Sequence, residues 1–213
     1  MEPDLIESRA QSILTASGIS CVRGGRVLYD ELSFSLSGGD LLLLTGPNGS
    51  GKTSLLRQIA GLLPLDAGAI SFQGFERGEE THFAGHATAM KEALTVSENL
   101  AFWCDLYGSK DAAPDTALAS LKLGSLAALP ARVLSAGQRR RLALARLVAI
   151  RRKLWLLDEP DTALDAEGRE TLHGIIAGHR AGGGMVVMAS HGTVDVPASQ
   201  TLVLGADAKA AAA

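Results

Sequence analysis

Apolar and polar positions along the first third of the chain predict alternating strands and helices. Residues 27–36 alternate between apolar and polar side chains, which predicts a half-buried β-strand. The segment Leu41–Thr45 is almost wholly apolar and is followed by a glycine, a pattern typical of a buried parallel strand. Apolar residues at helical spacing predict a helix over 53–63, and a turn at 65–68 then precedes a short predicted strand over 69–72.

The rest of the chain adds a helical segment and further buried strands. Over about 94–129 the apolar residues recur at helical spacing without a strand signal, which predicts a helical insert. A long helix is predicted from Ser135 to about residue 150, and apolar runs at 154–157 and Met185–Ala189 predict two more strands. Between those strands, one helix face carries Leu172, Ile175 and Ile176. The order of elements predicts an α/β fold with a mainly parallel core sheet.

Composition and charge narrow the class of protein. The chain has 213 residues, of which 46% are hydrophobic, and this suits one folded domain. A net charge of −3 argues against a generally basic nucleic-acid binder. Cys21 and Cys104 are too few for a disulfide framework, and we interpret them as reduced packing residues.

The two ends of the chain carry no pattern of a targeting segment. The acidic N-terminus lacks signal-peptide features, and no apolar run approaches the roughly 20 residues of a membrane span. We therefore expect a soluble, cytoplasmic chain whose membrane role, if it has one, comes from a partner. Residues 1–14 are expected to form a loose extension, and 206–213 a frayed tail.

A glycine-rich segment directly after Leu41–Thr45 fits the phosphate-binding pattern G-x-x-x-x-G-K-[ST]. Glycines let the backbone curl so that several N–H groups face one anion, and the positive end of a following helix adds to the attraction. We expect Lys52 to bind the β- and γ-phosphates of a nucleotide and the Thr53 hydroxyl to bind Mg²⁺. The loop by itself is compatible with kinases, GTPases and transport ATPases. Its candidate nucleotide-binding residues are Gly46, Pro47, Asn48, Gly49, Ser50, Gly51, Lys52, Thr53 and Ser54.

Two adjacent carboxylates, Asp158 and Glu159, follow the predicted strand at 154–157. We expect that strand to deliver them beside the phosphate loop, where Asp158 would hold Mg²⁺ through water and Glu159 would polarise the attacking water. Neighbouring strand residues point to opposite faces, so both side chains reach one site only if the chain turns there. The alternative is an acidic pair that caps the next element.

A third motif, Leu-Ser-Ala-Gly-Gln at residues 134–138, stands before the long predicted helix. Ser135 suits a helix N-cap, so a plain capped helix is one interpretation. The motif order favours another, because 134–138 lies between the phosphate loop and the acidic pair.

With these motifs in this order, the chain resembles the ATP-binding cassette (ABC) ATPases over nearly all of residues 17–205. The resemblance implies a P-loop NTPase of the ABC type, with an antiparallel β subdomain and a helical subdomain at about 88–133. It implies ATP and Mg²⁺ as cofactors. It also implies a head-to-tail dimer, in which one chain's phosphate loop and the other chain's 134–138 motif hold each ATP through Ser135, Gly137 and Gln138.

The same resemblance assigns further site residues. Residues 163–165 match the D-loop of the family, which brings Asp165 to the nucleotide. His191 matches the switch histidine, which takes part in catalysis together with Glu159 and Lys52.

Two positions depart from the family pattern. Ala87 stands where the family has a glutamine that contacts Mg²⁺ and the membrane subunit, and alanine can neither coordinate nor relay. Arg23 stands where an aromatic residue stacks on adenine; its guanidinium can stack on a base, and a plain surface arginine is the alternative. Tyr29 is aromatic but is expected to lie too far along its strand.

Within the family, the chain is similar to the haem-exporter ATPases of cytochrome c maturation. The similarity depends on the motif 134–138 with the arginines after it, and on Gly85, His86, Lys91, Leu94, Thr95, Glu98, Asn99 and Leu100. It implies multi-spanning membrane subunits as partners and a peripheral position on the cytoplasmic face of the bacterial inner membrane. ATP turnover would power haem export or the release of haem from its periplasmic chaperone. The alternatives are another ABC transporter or a soluble ABC ATPase that acts on nucleoprotein.

The chain carries no evident haem site of its own, because it lacks Cys-x-x-Cys-His, and nucleic acid is not an expected partner. We interpret His82 and His86 as loop residues and not metal ligands. Seven of the 20 basic residues lie within 139–153, and we interpret them as a solvated helix face; pairing with a partner cassette or the helical subdomain, and binding of anionic lipid or nucleic acid, are the alternatives.

Overall fold

The protein contains strands and helices in alternation, as the patterning predicts. A computed structural model describes residues 12–109, 113–190 and 196–205. The strands in these ranges are β1 (Ile13–Arg23), β2 (Arg26–Ser37), β3 (Leu41–Thr45), β4 (Ala67–Gln73), β5 (Thr81–Ala84), β6 (Leu154–Asp158), β7 (Met185–Ala189) and β8 (Gln200–Val203). The helices are α1 (Lys52–Ile59), α2 (Arg77–Glu80), α3 (Val96–Leu106), α4 (Pro114–Ser120), α5 (Ala136–Ala149) and α6 (Ala166–Ala181), with 3₁₀ turns at Gly124–Leu126 and Ala131–Val133.

The strands form two sheets of different kinds. One is antiparallel with the order β2-β1-β4, and the other is parallel with the order β5-β6-β7-β3-β8. The predicted strands within β2, β3, β4, β6 and β7 are confirmed. No prediction covered strands β1, β5 and β8.

The parallel sheet separates two apolar cores, because alternate side chains of each strand point to opposite faces. In β6, Leu154 and Leu156 pack with the antiparallel sheet and α1. Trp155 and Leu157 pack with α3 to α6 on the other face. Because both faces of β6 are buried, its residues 154–157 are all apolar and do not alternate with polar ones. The strand ends at Asp158 between the two layers.

Two predicted boundaries are corrected by packing. The predicted loose extension over 1–14 is wrong at its end, because Leu14 is a fully buried residue of β1; residues 1–11 lie outside the described ranges, as does the tail 206–213. The helix predicted over 53–63 ends at Ile59, since Gly61 adopts a left-handed φ of 75° and the following amides bond back to the Arg57 carbonyl.

Between 88 and 133 the regular elements among the described residues are α3, α4 and the two 3₁₀ turns, which agrees with the predicted helical segment. In the part of the chain that the structure describes, no helix is long and apolar enough to cross a membrane.

The prediction that His82 lies in a loop is wrong. His82 lies in β5 with only 3% of its surface exposed, and its ring centroid lies 5.7 Å from that of Tyr107. Burial, together with the nearby cations Arg146 and Arg152, lowers the pKa of His82 to about 3. The four-residue spacing between His82 and the exposed His86 does not indicate a strand. Strand β5 forms by pairing with β6, which lies far away in the chain.

This buried histidine predicts a loss of stability in acid. The folded protein keeps His82 neutral, whereas the unfolded chain binds a proton below about pH 6.5, so stability falls as the pH drops from there towards 3. From pH 7 to pH 5 the free energy of unfolding is expected to fall by about 2 kcal/mol from this residue. Urea unfolding of the unmutated protein and of His82→Leu at both pH values measures the difference. An equal loss in both proteins would show that His82 does not carry it.

Candidate nucleotide site

The phosphate loop joins the end of β3 to the start of α1, and two of its glycines are required by close packing. A Cβ on Gly46, which has a φ of 130°, would lie 2.1 Å from the Leu204 carbonyl oxygen. A Cβ on Gly51, with a φ of 106°, would lie 3.1 Å from the Tyr29 ring. Only glycine fits both the space and the backbone at these positions. The loop is therefore held between the edge strand β8 and the antiparallel sheet.

Lys52, the first residue of α1, folds back into this loop. Its Nζ donates hydrogen bonds to the carbonyl oxygens of Gly46 at 2.7 Å and Pro47 at 3.1 Å. Burial lowers the pKa of Lys52, while the carboxylates of Glu159 and Asp158 oppose that effect. The structure thus places a cation inside the loop, as a phosphate site requires, and both acidic residues lie near that cation.

Thr53 and Asp158 form the second part of the site. The Thr53 hydroxyl lies 3.1 and 3.0 Å from the two carboxylate oxygens of Asp158, to which it donates. These residues come from α1 and β6, which neighbour each other only in the folded chain. A hydroxyl beside a carboxylate is the kind of all-oxygen ligand set that Mg²⁺ prefers.

Glu159 reaches the same region because the chain turns after β6. Its φ is 49°, which is unusual for a residue other than glycine, and its N–H donates to the Ala189 carbonyl at 3.0 Å. The turn that the sequence argument required is therefore present. Glu159 lines an open cleft of about 480 Å³ together with Arg23, Leu28, Asn48, Gly49, Gly51, Lys52, Thr53 and Ser54.

Arg23 lies at the rim of this cleft, tied to neighbouring groups. It donates to the Val22 carbonyl at 2.6 Å and pairs with Asp66 at 3.5 Å. Its second terminal nitrogen is buried without a hydrogen-bond partner within the described residues. Tyr29 instead lies buried beneath Gly51 and donates to Gln58 at 2.6 Å, which agrees with the expectation that it is badly placed for a base.

The 134–138 motif forms the start of α5 as predicted. Ser135 is the N-cap: its hydroxyl accepts from the Gln138 N–H, and the Gln138 side chain accepts from the Ser135 N–H, which is a capping box. A Cβ on Gly137 would lie 3.1 Å from the Ala163 carbonyl, so the motif packs on the 163–165 segment of its own chain. Of the described residues that line the cleft, none belongs to this motif.

Asp165 and His191 are the remaining predicted site residues. Asp165 is exposed and caps α6, where its carboxylate accepts from the Gly168 N–H at 2.8 Å, and it does not line the cleft of its own chain. His191 lies outside the described residues, so its predicted role is not placed. Ala87 lies in an exposed loop after β5.

A functional candidate that the sequence argument missed is Arg140. The interpretation of 139–153 as a solvated face is wrong for Arg140 and Arg146, which are 5% and 7% exposed. Arg140 donates to the carbonyl oxygens of Pro160, Gly85, Asp158 and Glu159. A signal was available, because Arg140 shares one helix face with the buried Leu144 and Leu147.

Comparisons with known proteins agree with this geometry. A family model described as ABC transporter matches residues 29–162. The cytochrome c biogenesis ATP-binding export protein CcmA of Nitrobacter winogradskyi is 47% identical over 91% of this chain and 98% of its own length. The CcmA protein of Paramagnetospirillum magneticum is 46% identical over 92% of this chain and 95% of its own. A solved structure titled putative ABC transporter (ATP-binding protein) from Pyrococcus furiosus has a TM-score of 0.80 at 23% identity, over 90% of this chain and 97% of that one, and it supports the fold alone.

Proposed function

Since this chain belongs to the ABC transporter family and, within it, to the cytochrome c biogenesis ATP-binding export proteins, we propose that it powers haem export or the release of haem from a periplasmic chaperone by hydrolysing ATP. One observation carries the ATPase part of the proposal. The phosphate loop, the Thr53–Asp158 pair and Glu159 converge on one cleft although they come from distant parts of the chain.

The phosphates of ATP fit the loop at Lys52. The ammonium group already donates to two carbonyls of the loop, and α1 begins at this residue, so its first N–H groups are expected to add to the attraction. Arg23 lines the cleft and is proposed to stack on or border the adenine. Thr53 would hold Mg²⁺ directly and Asp158 would hold it through water. The ion, when bound, supplies positive charge that neutralises the β- and γ-phosphates.

Hydrolysis then needs one water and one base. The oxygen of the water attacks the γ-phosphorus, the bond from that phosphorus to the β–γ bridging oxygen breaks, and ADP leaves with the bond's electrons. Glu159 lines the cleft together with Lys52 and Thr53, and we propose that it accepts the proton that the water loses. His191 is proposed to assist at the γ-phosphate, as the resemblance implies.

A head-to-tail pair of chains would complete the site. Ser135, Gly137 and Asp165 lie outside the cleft of their own chain, and Ser135 and Asp165 are exposed. In the proposed dimer, Ser135, Gly137, Gln138 and Asp165 of one copy face the ATP on the phosphate loop of the other. The N–H groups of Ala136 and Gly137, which precede the Gln138 N–H that Ser135 caps, would then face the γ-phosphate.

Mixing two inactive variants tests this arrangement. Lys52→Ala damages the phosphate loop and Ser135→Arg blocks the 134–138 motif, so each variant alone should be inactive. In a mixed dimer, one site contains both lesions and the other contains neither. ATPase activity of the mixture is expected to recover to about a quarter of the unmutated level, since half of the dimers are mixed and each has one intact site. No recovery would argue that each chain completes its own site.

The partners are proposed to be multi-spanning subunits of a cytochrome c maturation complex, with this chain bound peripherally at the cytoplasmic face of the inner membrane. The 46–47% identity to CcmA proteins over almost their whole length supports this choice over other ABC systems. Tagging the chain in its own cell, gentle solubilisation and identification of co-purifying proteins by mass test it. If membrane subunits of another transporter co-purify, the proposed ATPase activity stands and the proposed role in haem export or release is rejected. Ribosomal or DNA-repair proteins without a membrane subunit would favour a soluble ABC ATPase.

A further inference from the structure

Arg140 is a buried cation whose donors bind the backbone around the acidic pair. Its Nε lies 3.1 Å from the Pro160 carbonyl, and one terminal nitrogen lies 3.1 Å from the carbonyl of Asp158 and 2.7 Å from that of Glu159. The other terminal nitrogen lies 3.0 Å from the Gly85 carbonyl. One side chain therefore holds three consecutive carbonyls, 158–160, and the end of β5.

These bonds act where the backbone is strained. Glu159 has a left-handed φ of 49°, a conformation that costs about 1 kcal/mol or more outside glycine and persists only when its surroundings enforce it. The N–H of Glu159 is held by Ala189, and its carbonyl is held by Arg140. Together they fix both sides of the residue that turns the second carboxylate toward the cleft.

The charge of Arg140 also matches its surroundings. Burial lowers the pKa of its guanidinium, and the carboxylates of Asp158, Asp161 and Glu159 oppose that effect. An arginine stays protonated in proteins, so a fixed positive charge lies behind the acidic pair. A buried charge of this kind is costly unless hydrogen bonds satisfy it, and here four carbonyl oxygens do so.

We propose that Arg140 is a positioning residue for ATP hydrolysis, which fixes the backbone of Asp158 and Glu159 so that the Glu159 carboxylate meets the attacking water and the Asp158 carboxylate faces the proposed Mg²⁺ position. This inference rests on the proposed ATPase function. Arg140 binds backbone carbonyls on the far side of the acidic pair and does not line the cleft, so it acts through those residues. Phosphate binding by Lys52 and the loop does not depend on it.

The test compares Arg140→Lys and Arg140→Gln in the full-length chain with MgATP. Misplacement of a catalytic carboxylate by about 1 Å costs roughly 100-fold in rate, so Arg140→Gln is expected to lower kcat by about 10- to 100-fold. The KM for ATP and the affinity for a fluorescent ATP analogue should change less than about threefold, because the phosphate loop is intact. Arg140→Lys keeps the charge and some of the hydrogen bonds, and should recover part of kcat.

A matched control separates positioning from general destabilisation. Arg151→Gln removes the same charge from an exposed position just after α5 and should leave kcat unchanged. Thermal unfolding is measured for each variant, so that rates are compared at a temperature at which all are folded. A purely structural Arg140 would lower the melting temperature and leave kcat of the folded protein unchanged. If Arg140→Gln does not fold, the kcat of folded Arg140→Lys decides between the two roles: a lower kcat supports positioning, and an unchanged kcat supports a purely structural role.

The failure of this inference is distinguishable from failure of the proposed function. Unmutated kcat in both Arg140 variants, with hydrolysis abolished in Glu159→Gln, overturns the positioning role alone. An equal fall in kcat and in ATP affinity also overturns it, because that result assigns Arg140 to nucleotide binding. Full activity of Glu159→Gln would instead reject the mechanism on which the inference rests.

Discussion

Glu159→Gln is expected to lower the rate of ATP hydrolysis by about 10²- to 10⁴-fold, the range by which a positioned general base accelerates a reaction. Glutamine has nearly the same shape but cannot accept the proton of the attacking water. It also removes the repulsion between the carboxylate and the γ-phosphate, so ATP binding should be retained or strengthened. ATP should therefore accumulate in a stable dimer. Steady-state phosphate release and size-exclusion chromatography with and without MgATP measure both effects.

Glu167→Gln is the matched control for this variant. Glu167 is an exposed glutamate on α6 that pairs with Lys122 at the surface, so the same chemical change there should leave hydrolysis intact. Hydrolysis by Glu159→Gln at the unmutated rate would show that another group takes the proton. Loss of ATP binding in the same variant would instead point to a binding role for the carboxylate.

Lys52→Ala is expected to have the second large effect, because it removes the cation that the loop surrounds. We expect hydrolysis to fall by about 10²- to 10³-fold, as when one stabilising group at a developing charge is lost. The carbonyls of Gly46 and Pro47 also lose their donor, so the loop should bind phosphates less well even before the reaction. Unlike Glu159→Gln, this variant should bind a fluorescent ATP analogue at least about tenfold more weakly.

Lys122→Ala provides the comparison, since Lys122 is an exposed lysine whose side chain pairs with Glu167 at the surface. It should bind and hydrolyse ATP as the unmutated protein does. Full affinity for ATP in Lys52→Ala would mean that the backbone N–H groups alone carry phosphate binding. Reduced affinity with unchanged hydrolysis at saturating ATP would limit Lys52 to binding.

Short-range pattern was sufficient for most of the site. The phosphate loop joins β3 to α1 and Ser135 caps α5, as the sequence predicts, because each depends on residues within a few positions. The contact of Thr53 with Asp158 joins segments 105 residues apart and depends on the fold. Strand β6 was predictable for a similar reason, since burial on both faces leaves a continuous apolar run. The sequence did not predict the turn that brings Glu159 to the cleft. It indicated only that such a turn is needed if both carboxylates are to reach one site.

Contacts between distant segments decided the remainder. Strand β5 forms because it pairs with β6, and Leu14 is buried because β1 lies between β2 and β4. From sequence alone an arginine is predicted to lie at the surface, unless buried hydrogen-bond acceptors are known to surround it. The acceptors of Arg140 are carbonyls 18 to 55 residues away in the chain, so the local sequence does not show them. Local pattern thus determined which groups are proposed to carry the chemistry. Their alignment depends on backbone hydrogen bonds that exist only after the sheet and α5 pack together.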